Sequence, residues 1–239
     1  MKVRADSPPR LITESDPKSP ASEAYRTLRT NIQFAGLDEP CRTIVITSAS
    51  PREGKTTSAA NFGVVAAQAG SRVCLVDSDL RRPALHRLFG MDNSRGLTTA
   101  LVEGLPFAEL AQPTRIPGLS LLPSGPLPPN PAELVGSNRM RERLEEAAGS
   151  AFDLVLCDSP PVIAVSDGVA LAAQCDGVIV VIRAGVVAHD VIRRAIEQIE
   201  AVKGKILGVL LNDVDLKRDG YYHAYYRYYQ AYDGGDQKR

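Results

Sequence analysis

The fold is decided by the stretch VITSASPREGKTTSAANF, residues 45–62. It predicts the end of an apolar strand, then a turn that contains Pro51 and Gly54, then a helix beginning at Lys55. This order of elements brings consecutive backbone N–H groups and the N-terminus of a helix to one point, where they attract an anion. The stretch therefore predicts a phosphate-binding turn between a strand and a helix.

The spacing inside that turn indicates the ligand. Ala49-x-x-x-x-Gly54-Lys55-Thr56 matches the P-loop pattern, with alanine in place of the usual first glycine. In that pattern the lysine reaches the β- and γ-phosphates, and the next hydroxyl is a ligand of Mg²⁺. We therefore expect ATP and Mg²⁺ to bind here. The nucleotide-binding residues predicted in the turn are Ser50, Pro51, Arg52, Glu53, Gly54, Lys55, Thr56 and Thr57.

Outward from this turn, short apolar runs alternate with helical patterns. The predicted strands are Thr43–Thr47, Val73–Val76, Leu119–Leu122, Leu154–Cys157, Val178–Ile182 and Ile206–Leu211. The predicted helices are Lys55–Ala69, Ser137–Ala148 and His189–Val202. The strands are rich in Val, Ile and Leu without polar alternation, which is typical of strands buried on both faces. The pattern predicts an α/β protein with a mostly parallel central sheet flanked by helices, the P-loop NTPase fold.

Two segments fall outside the alternation and set the predicted domain boundaries. Residues 1–20 contain four prolines and are predicted to form an extended N-terminal arm. Residues 217–239 are polar and rich in tyrosine, and are predicted to form a flexible C-terminal tail. Residues 21–216 then form the P-loop domain between them.

Two further strands end in aspartate, in VCLVDSDLR at residues 73–81 and in LVLCDSPP at residues 154–161. Ligands of open α/β sheets bind at the carboxyl ends of the strands, so Asp77, Asp79 and Asp158 should converge near the P-loop. The alternative role for each aspartate is helix capping. Three carboxylates facing a triphosphate need a cation between them, which Mg²⁺ supplies, while Lys55 and Arg81 offset the remaining charge. The predicted metal ligands are Thr56, Asp79 and Asp158.

Composition excludes several classes of function. The formal net charge is zero, so no basic surface for nucleic acid is expected. The four cysteines have no CxxC spacing, which argues against a metal site with cysteine ligands and against a disulfide framework. The N-terminus has no apolar core of a signal peptide, and no run approaches the ~18 apolar residues of a membrane span. A role at a membrane would therefore require a partner.

Seven of the eight tyrosines cluster in YYHAYYRYYQAY. They are Tyr221, Tyr222, Tyr225, Tyr226, Tyr228, Tyr229 and Tyr232. An amphipathic helix or an adhesive low-complexity tail are the alternatives, but the segment has no Leu or Ile and glycines bracket it. We expect these tyrosines to be phosphoacceptors.

The first long helix is predicted to be capped by Ser19 with Pro20 at its first position. Glu23, Arg26 and Arg29 are expected on one side of this helix, as a surface for self-association or simply as a solvated charged face. The apolar stripe on the other side consists of Tyr25, Leu28 and Ile32.

Three motifs together carry a resemblance to a known family. SASPREGKTT, VCLVDSDLRRP and LVLCDSPP resemble the Walker A, A′ and B motifs of the bacterial tyrosine kinases, the cytoplasmic autokinases of capsule and exopolysaccharide synthesis. Arg52 replaces a glycine and Thr56 a serine that are common in this family, and the fused membrane module that many members carry is not expected here. The resemblance extends from about Asp16 through Asn212 to the tyrosine cluster.

The resemblance implies an ATP-dependent tyrosine autokinase in which Asp77, Lys55, Asp79 and Arg81 are catalytic. Asp77 is expected to orient or deprotonate the acceptor hydroxyl, although Asp77, Asp79 and Asp158 could exchange roles. The spacing of Glu23, Arg26 and Arg29 resembles the motif that builds homo-oligomeric rings in this family. The resemblance further implies a separate transmembrane activator of the polysaccharide co-polymerase type, a tyrosine phosphatase, and a cytoplasmic protein that a partner recruits to the inner face of the membrane.

Two other functions and one base contact stay open. A switch ATPase of the MinD/ParA kind carries a signature lysine five residues before the P-loop lysine, where this chain has Ser50. A nucleotide-gated oligomeric scaffold without phosphotransfer is the third class. Asn212 is a candidate adenine contact, because an amide can pair with adenine N6 and N7, or else an ordinary turn asparagine.

Overall fold

Seven strands form one central sheet in the computed structural model, which describes residues 11–35 and 40–214. The strands are β1 (Thr43–Ser48), β2 (Val73–Asp77), β3 (Gln112–Pro113), β4 (Leu119–Leu122), β5 (Leu154–Asp158), β6 (Gly177–Arg183) and β7 (Ile206–Asn212). Their order across the sheet is β3-β4-β2-β5-β1-β6-β7. All neighbouring pairs are parallel except β3 and β4. The predicted mostly parallel sheet is confirmed, and the six predicted strands have ends within one residue of those observed.

Helices connect the strands and cover both faces of the sheet. They are α1 (Ile12–Ser15), α2 (Pro20–Ala35), α3 (Lys55–Gln68), α4 (Leu85–Phe89), α5 (Leu97–Glu103), α6 (Phe107–Leu110), α7 (Pro131–Val135), α8 (Asn138–Glu146), α9 (Asp167–Ala172) and α10 (His189–Ala201). One π-helical turn, Ala147–Ala151, continues α8. Helices α2, α3 and α4 pack on one face, and α5, α8, α9 and α10 pack on the other. The three long predicted helices are present, whereas the short helices α4 to α7 and α9 were not predicted.

The core is apolar because five of the six predicted strands are buried along most of their length. The exception is β7, for which the prediction of burial on both faces is wrong. β7 lies at the edge of the sheet, and the side chains of Val209 and Leu211 are 52% and 44% exposed. An edge strand has a neighbour on one side only, so its apolar run is incompletely covered.

The N-terminal segment differs from the predicted extended arm from residue 11 onward. Leu11 is buried in the core beside α3, and α1 follows it directly. The backbone N–H and the hydroxyl of Thr13 both donate to Oδ1 of Asn61, at 3.1 and 2.9 Å. These contacts attach the segment to the helix that follows the phosphate-binding turn. Residues 1–10 and the predicted tail at 217–239 lie outside the described residues.

Within the described ranges, no helix is both long and apolar enough to cross a membrane.

Candidate active site

The turn between β1 and α3 holds two residues in the left-handed region of backbone conformation. Arg52 has a φ of 67° and Gly54 a φ of 90°. A Cβ atom added at Gly54 would lie 2.1 Å from the side-chain nitrogen of Asn212, so glycine is required there for space as well as conformation. Glycine would also be the unstrained residue at Arg52, because φ is positive there.

A buried glutamate braces the same turn from inside. Glu53 is only 2% exposed, and its Oε1 accepts a hydrogen bond from the backbone N–H of Ser50. Its Oε2 accepts from the backbone N–H of Arg183 at the end of β6, at 3.0 Å. Its backbone carbonyl accepts from Nδ2 of Asn212 at 2.9 Å. The turn is therefore tied to the carboxyl ends of β6 and β7.

These contacts change the interpretation of Asn212. Its amide nitrogen, one of the two groups expected to contact adenine, already donates to the phosphate-binding turn. The side chain therefore supports the turn, and a contact with adenine through its oxygen stays a prediction.

Lys55 begins α3 and points to the carboxylates expected around it. Its Nζ lies 2.9 Å from Oδ2 of Asp79 and 3.7 Å from Oδ1 of Asp158. Burial lowers the pKa of Lys55, but the charges of Asp158 and Asp79 more than offset burial, so the net pKa is raised. Lys55 therefore stays charged at neutral pH and is the fixed cation of the site.

Asp77 and Asp158 lie side by side on neighbouring strands. They are register partners in the pairing of β2 with β5, and both are fully buried. Burial, reinforced by the charge of Asp158, raises the pKa of Asp77 to about 8. Burial also raises the pKa of Asp158 to about 6, although nearby Lys55 opposes that rise. The predicted convergence of the aspartates at the carboxyl ends of the strands is confirmed.

The structure shows one of the two roles that the sequence left open for Asp77, that of capping a helix, and the catalytic role stays a prediction. Its Oδ2 accepts hydrogen bonds from the backbone N–H groups of Ala84 and Leu85, each at 3.0 Å, at the start of α4. Its Oδ1 is buried and has no hydrogen-bond partner among the described residues. One oxygen of Asp77 therefore caps a helix, and the other is available to accept a proton or a hydrogen bond from a substrate.

The residues present fit a magnesium ion held with nucleotide. Both side-chain oxygens of Asp158 are buried and make no hydrogen bond of ordinary geometry within the described part of the chain, although Lys55 and Thr56 lie beside them, as suits the ligand of a cation. Asp79 is also buried, and its Oδ1 accepts from the backbone N–H of Arg82 at 3.0 Å. Residues 11–35 and 40–214 contain no cluster of three or more His, Cys, Asp and Glu side chains that could hold a metal alone. Mg²⁺ is commonly bound by one or two carboxylates plus phosphates and water, which agrees with this donor set.

Arg81 forms an ion pair with Asp167 and not with the carboxylates beside Lys55. Its Nε lies 2.6 Å from Oδ2 of Asp167, and its Nη2 lies 3.3 Å from Oδ1. The hydrogen bonds to Asp167 are the main cause of a raised pKa for Arg81. Asp167 was not singled out from the sequence, where it follows the DSPP motif by several residues without any pattern of its own.

Helix α2 begins as predicted and carries Glu23, Arg26 and Arg29. The backbone N–H of Ser22 donates to Oγ of Ser19 at 3.2 Å, which confirms the cap. Glu23 and Arg26 form an ion pair of 2.7 Å within the helix. Arg29 lies at the border of this charged side, because it is three residues from Arg26 and also three from Ile32. It lines a cavity of about 300 Å³ with Ile32 of the apolar stripe and with residues of α3.

Helical geometry explains this position. Arg29 is three residues from Ile32 and four from Tyr25, so it projects only about 60° and 40° from them around the helix. The stripe itself is confirmed, because Tyr25, Leu28 and Ile32 pack against the core. The hydroxyl of Tyr25 donates to Oγ of Ser58 in α3 at 3.3 Å, and burial raises the pKa of Tyr25.

The predicted phosphoacceptor tyrosines, residues 221–232, lie outside the described residues. Two contributors to the site were missed by sequence reasoning, namely the Asp167 partner of Arg81 and the bracing carboxylate of Glu53. Glu53 was placed in the turn but only as a residue near nucleotide. A buried charge within a loop is recognisable only when its backbone donors are known, since one of them, Arg183, is 130 residues away.

Comparison with known proteins places this geometry in context. A family model described as an AAA domain matches residues 41–212. Tyrosine-protein kinase YwqD of Bacillus subtilis is 42% identical over 228 residues, which is 95% of this chain and 94% of that protein. Among solved structures, the chimerical protein CapA2B2 is 38% identical with a TM-score of 0.80, covering 85% of this chain and 89% of that one. The kinase domain of Escherichia coli tyrosine kinase ETK is 33% identical with a TM-score of 0.81, covering 86% and 80%.

Proposed function

This chain belongs to the bacterial tyrosine kinase family, and we propose that it transfers the γ-phosphoryl group of ATP to tyrosines of its own residues 221–232. The observation that carries the proposal is the convergence of Lys55 with Asp77, Asp79 and Asp158 at the carboxyl ends of neighbouring strands. A purely structural P-loop would have no reason to bury three carboxylates around its lysine, because buried charge is costly unless it is used.

The cofactor assignment rests on the buried carboxylate of Asp158, with Asp79 and the hydroxyl of Thr56 close to the same lysine. Thr56, Asp79 and Asp158 would hold Mg²⁺, whose charge, when bound, allows carboxylates and a triphosphate to share one site. Residues 52–57 would supply the backbone N–H groups and the helix N-terminus that bind the phosphates. Asn212 keeps the turn in shape through Glu53.

The residues of the chain then divide the work of transfer. Lys55 neutralises charge on the γ-phosphate, and the bond from the tyrosine oxygen to that phosphorus forms as the bond to the departing ADP breaks. Asp77 orients the hydroxyl and accepts its proton on Oδ1. Burial raises the pKa of Asp77 above that of an ordinary carboxyl, so Asp77 is a stronger proton acceptor once it is ionised.

The biological setting is proposed from the family resemblance. Self-association through Glu23, Arg26 and Arg29 would form a ring that brings an acceptor segment to a neighbouring site. A separate transmembrane activator of the co-polymerase type would recruit this cytoplasmic chain to the membrane, and a tyrosine phosphatase would reverse the reaction. The process regulated is capsule or exopolysaccharide synthesis. Similarity to tyrosine-protein kinase YwqD over nearly the whole of both chains supports the kinase activity on which this setting depends.

The test is incubation of the pure chain with Mg²⁺ and γ-labelled ATP, followed by mass-spectrometric mapping of phosphotyrosine. Label on residues 221–232 supports the kinase. Free phosphate without label on tyrosine would instead support a switch ATPase of the MinD/ParA kind. Neither label nor free phosphate, with nucleotide still bound, would support a nucleotide-gated scaffold.

A further inference from the structure

A buried aspartate outside the three motifs holds the arginine of the second motif. Asp167 is 1% exposed, whereas the side chain of Arg81 is 43% exposed. The two groups meet through two hydrogen bonds, of 2.6 and 3.3 Å. A carboxylate this deeply buried is stable only when paired, so Arg81 is directed by a fixed partner.

The position of this pair relates it to the phosphoryl-transfer site. Arg81 lies two residues after Asp79, whose Oδ2 contacts Lys55 at 2.9 Å. Asp167 is the first residue of α9, which follows the loop that leaves Asp158. The pair therefore joins the two loops that follow the aspartate-bearing ends of β2 and β5.

The loop that presents Asp167 is itself firmly packed. A Cβ atom added at Gly168 would lie 2.7 Å from the carbonyl oxygen of Pro160, so the start of α9 closely approaches the loop after Asp158. The same carbonyl accepts a hydrogen bond from the hydroxyl of Thr47 in β1, at 3.0 Å. Asp167 is thus a rigid support, while the arginine it holds reaches towards solvent.

The pairing leaves donors of Arg81 available. The hydrogen bonds to Asp167 use Nε and Nη2, and Nη1 has no hydrogen-bond partner within residues 11–35 and 40–214. A guanidinium has five N–H donors in a planar fork, which suits the oxygens of a phosphoryl group. A phosphoryl group in transfer spreads negative charge over three oxygens, where such donors act most strongly.

We propose that Asp167 is a positioning residue that aims Arg81 at the phosphoryl group during its transfer to tyrosine. This role rests on the proposed kinase function. Arg81 contacts the phosphoryl oxygens, and Asp167 acts only through Arg81, by fixing the plane and direction of its guanidinium.

The test compares Asp167→Asn with the wild type in single-turnover tyrosine phosphorylation, with Mg-ATP affinity measured by calorimetry. A displacement of about 1 Å can cost on the order of 100-fold in rate, so we expect a loss of about 10- to 100-fold in transfer with ATP affinity within about twofold. Asp167→Glu keeps the charge and should recover part of the rate. The matched control is Asp153→Asn, which breaks the exposed Arg72–Asp153 pair of 2.7 Å and should leave transfer unchanged.

A double variant separates positioning from structural support. Arg81→Gln with Asp167→Asn removes both charges, so no buried carboxylate is left unpaired, and it should be no slower than Arg81→Gln alone. If the rate losses of the two single variants multiply in the double variant, the proposal is overturned. So would an Asp167→Asn variant with wild-type transfer, or one whose ATP affinity falls as much as its rate. A wild type that never labels tyrosine would instead overturn the proposed function itself.

Discussion

Asp77 on β2 and Asp158 on β5 are register partners, and both carboxyl groups are buried. The buried positive charge beside them is too small to balance both carboxylates. Lys55 contacts Asp158 and Asp79 but forms no ion pair with Asp77. Without nucleotide and metal, the cheaper state of this pair is the protonated one. The pair therefore couples the stability of the chain to pH.

The first prediction gives the sign of that coupling. Unfolded aspartates have a pKa of about 4, whereas the folded values are about 8 for Asp77 and about 6 for Asp158. Between these values the folded state holds protons that the unfolded state has released, so the free energy of unfolding falls as pH rises from about 4 to about 8. Thermal melts without nucleotide or Mg²⁺ at pH 5 and pH 8 measure this fall.

The Asp77→Asn variant isolates the contribution of one carboxyl group. It should flatten the pH dependence and raise the melting temperature at pH 8 by on the order of 5 °C. Asp153→Asn is the control, because the pKa of exposed Asp153 is lowered to about 2 and its effect should be constant above pH 5. If the melting temperature depends on pH equally in wild type and in Asp77→Asn, the raised pKa of Asp77 is contradicted.

The second prediction concerns Lys55. Lys55→Met should reduce tyrosine phosphorylation at least about 100-fold, because the γ-phosphate loses its nearest fixed cation. Transfer of label from γ-labelled ATP is the measurement. Lys205→Met, at an exposed position before β7, is the matched control and should be fully active. Normal activity of Lys55→Met would disprove the phosphate-site assignment.

The third prediction divides the work between two carboxylates. Asp77→Asn should bind Mg-ATP within about threefold of wild type yet lose at least about 100-fold in transfer, because it removes a proton acceptor. Asp158→Asn should instead weaken binding in the presence of Mg²⁺ and not in its absence. Calorimetry with and without Mg²⁺ decides, and equal loss of binding in both variants would refute the division.

The sequence alone predicts the strands and the carboxylates of the site, but not all of their partners. The six predicted strands and the meeting of Asp77, Asp79 and Asp158 were predictable, because parallel strands end at one edge of the sheet. The partner of Arg81 was not, because Asp167 lies 86 positions away and only the packing of α9 brings it close. The cavity beside Arg29 was not predictable either, because it depends on how α2 packs against α3.

The fourth prediction concerns the surface of α2. Arg26→Ala with Arg29→Ala should be monomeric and poorly phosphorylated, if these residues hold the proposed ring together. Light scattering combined with size-exclusion chromatography gives the mass. Arg193→Ala, on the exposed side of α10, is the control that should assemble normally. Since Arg29 also lines the cavity beside α3, a melting curve must first show that the double variant is folded.

The fifth prediction is that phosphorylation of the tyrosines in residues 221–232 makes the proposed ring dissociate. Each phosphotyrosine adds about −1.5 to −2 charges, so seven sites would add on the order of −10 to −14 to a chain whose formal charge is zero. Docked segments would bring this charge close to Asp77, Asp79 and Asp158. The Lys55→Met chain should therefore scatter as a larger particle than fully phosphorylated wild type at equal concentration. A phosphorylated chain that stays as large would reject this cycle.

The edge strand β7 has a consequence for how acceptors are chosen. It ends at Asn212, in contact with the phosphate-binding turn, and Tyr221 follows nine positions later in the sequence. Nine residues span at most about 30 Å, so the acceptor segment stays near the site of its own chain and, in the proposed ring, near that of a neighbour. Under the proposed function, attachment rather than a consensus around each tyrosine then defines the substrate. The positions of the seven tyrosines within residues 221–232, and the residues between them, could therefore change while the tyrosines remain good acceptors.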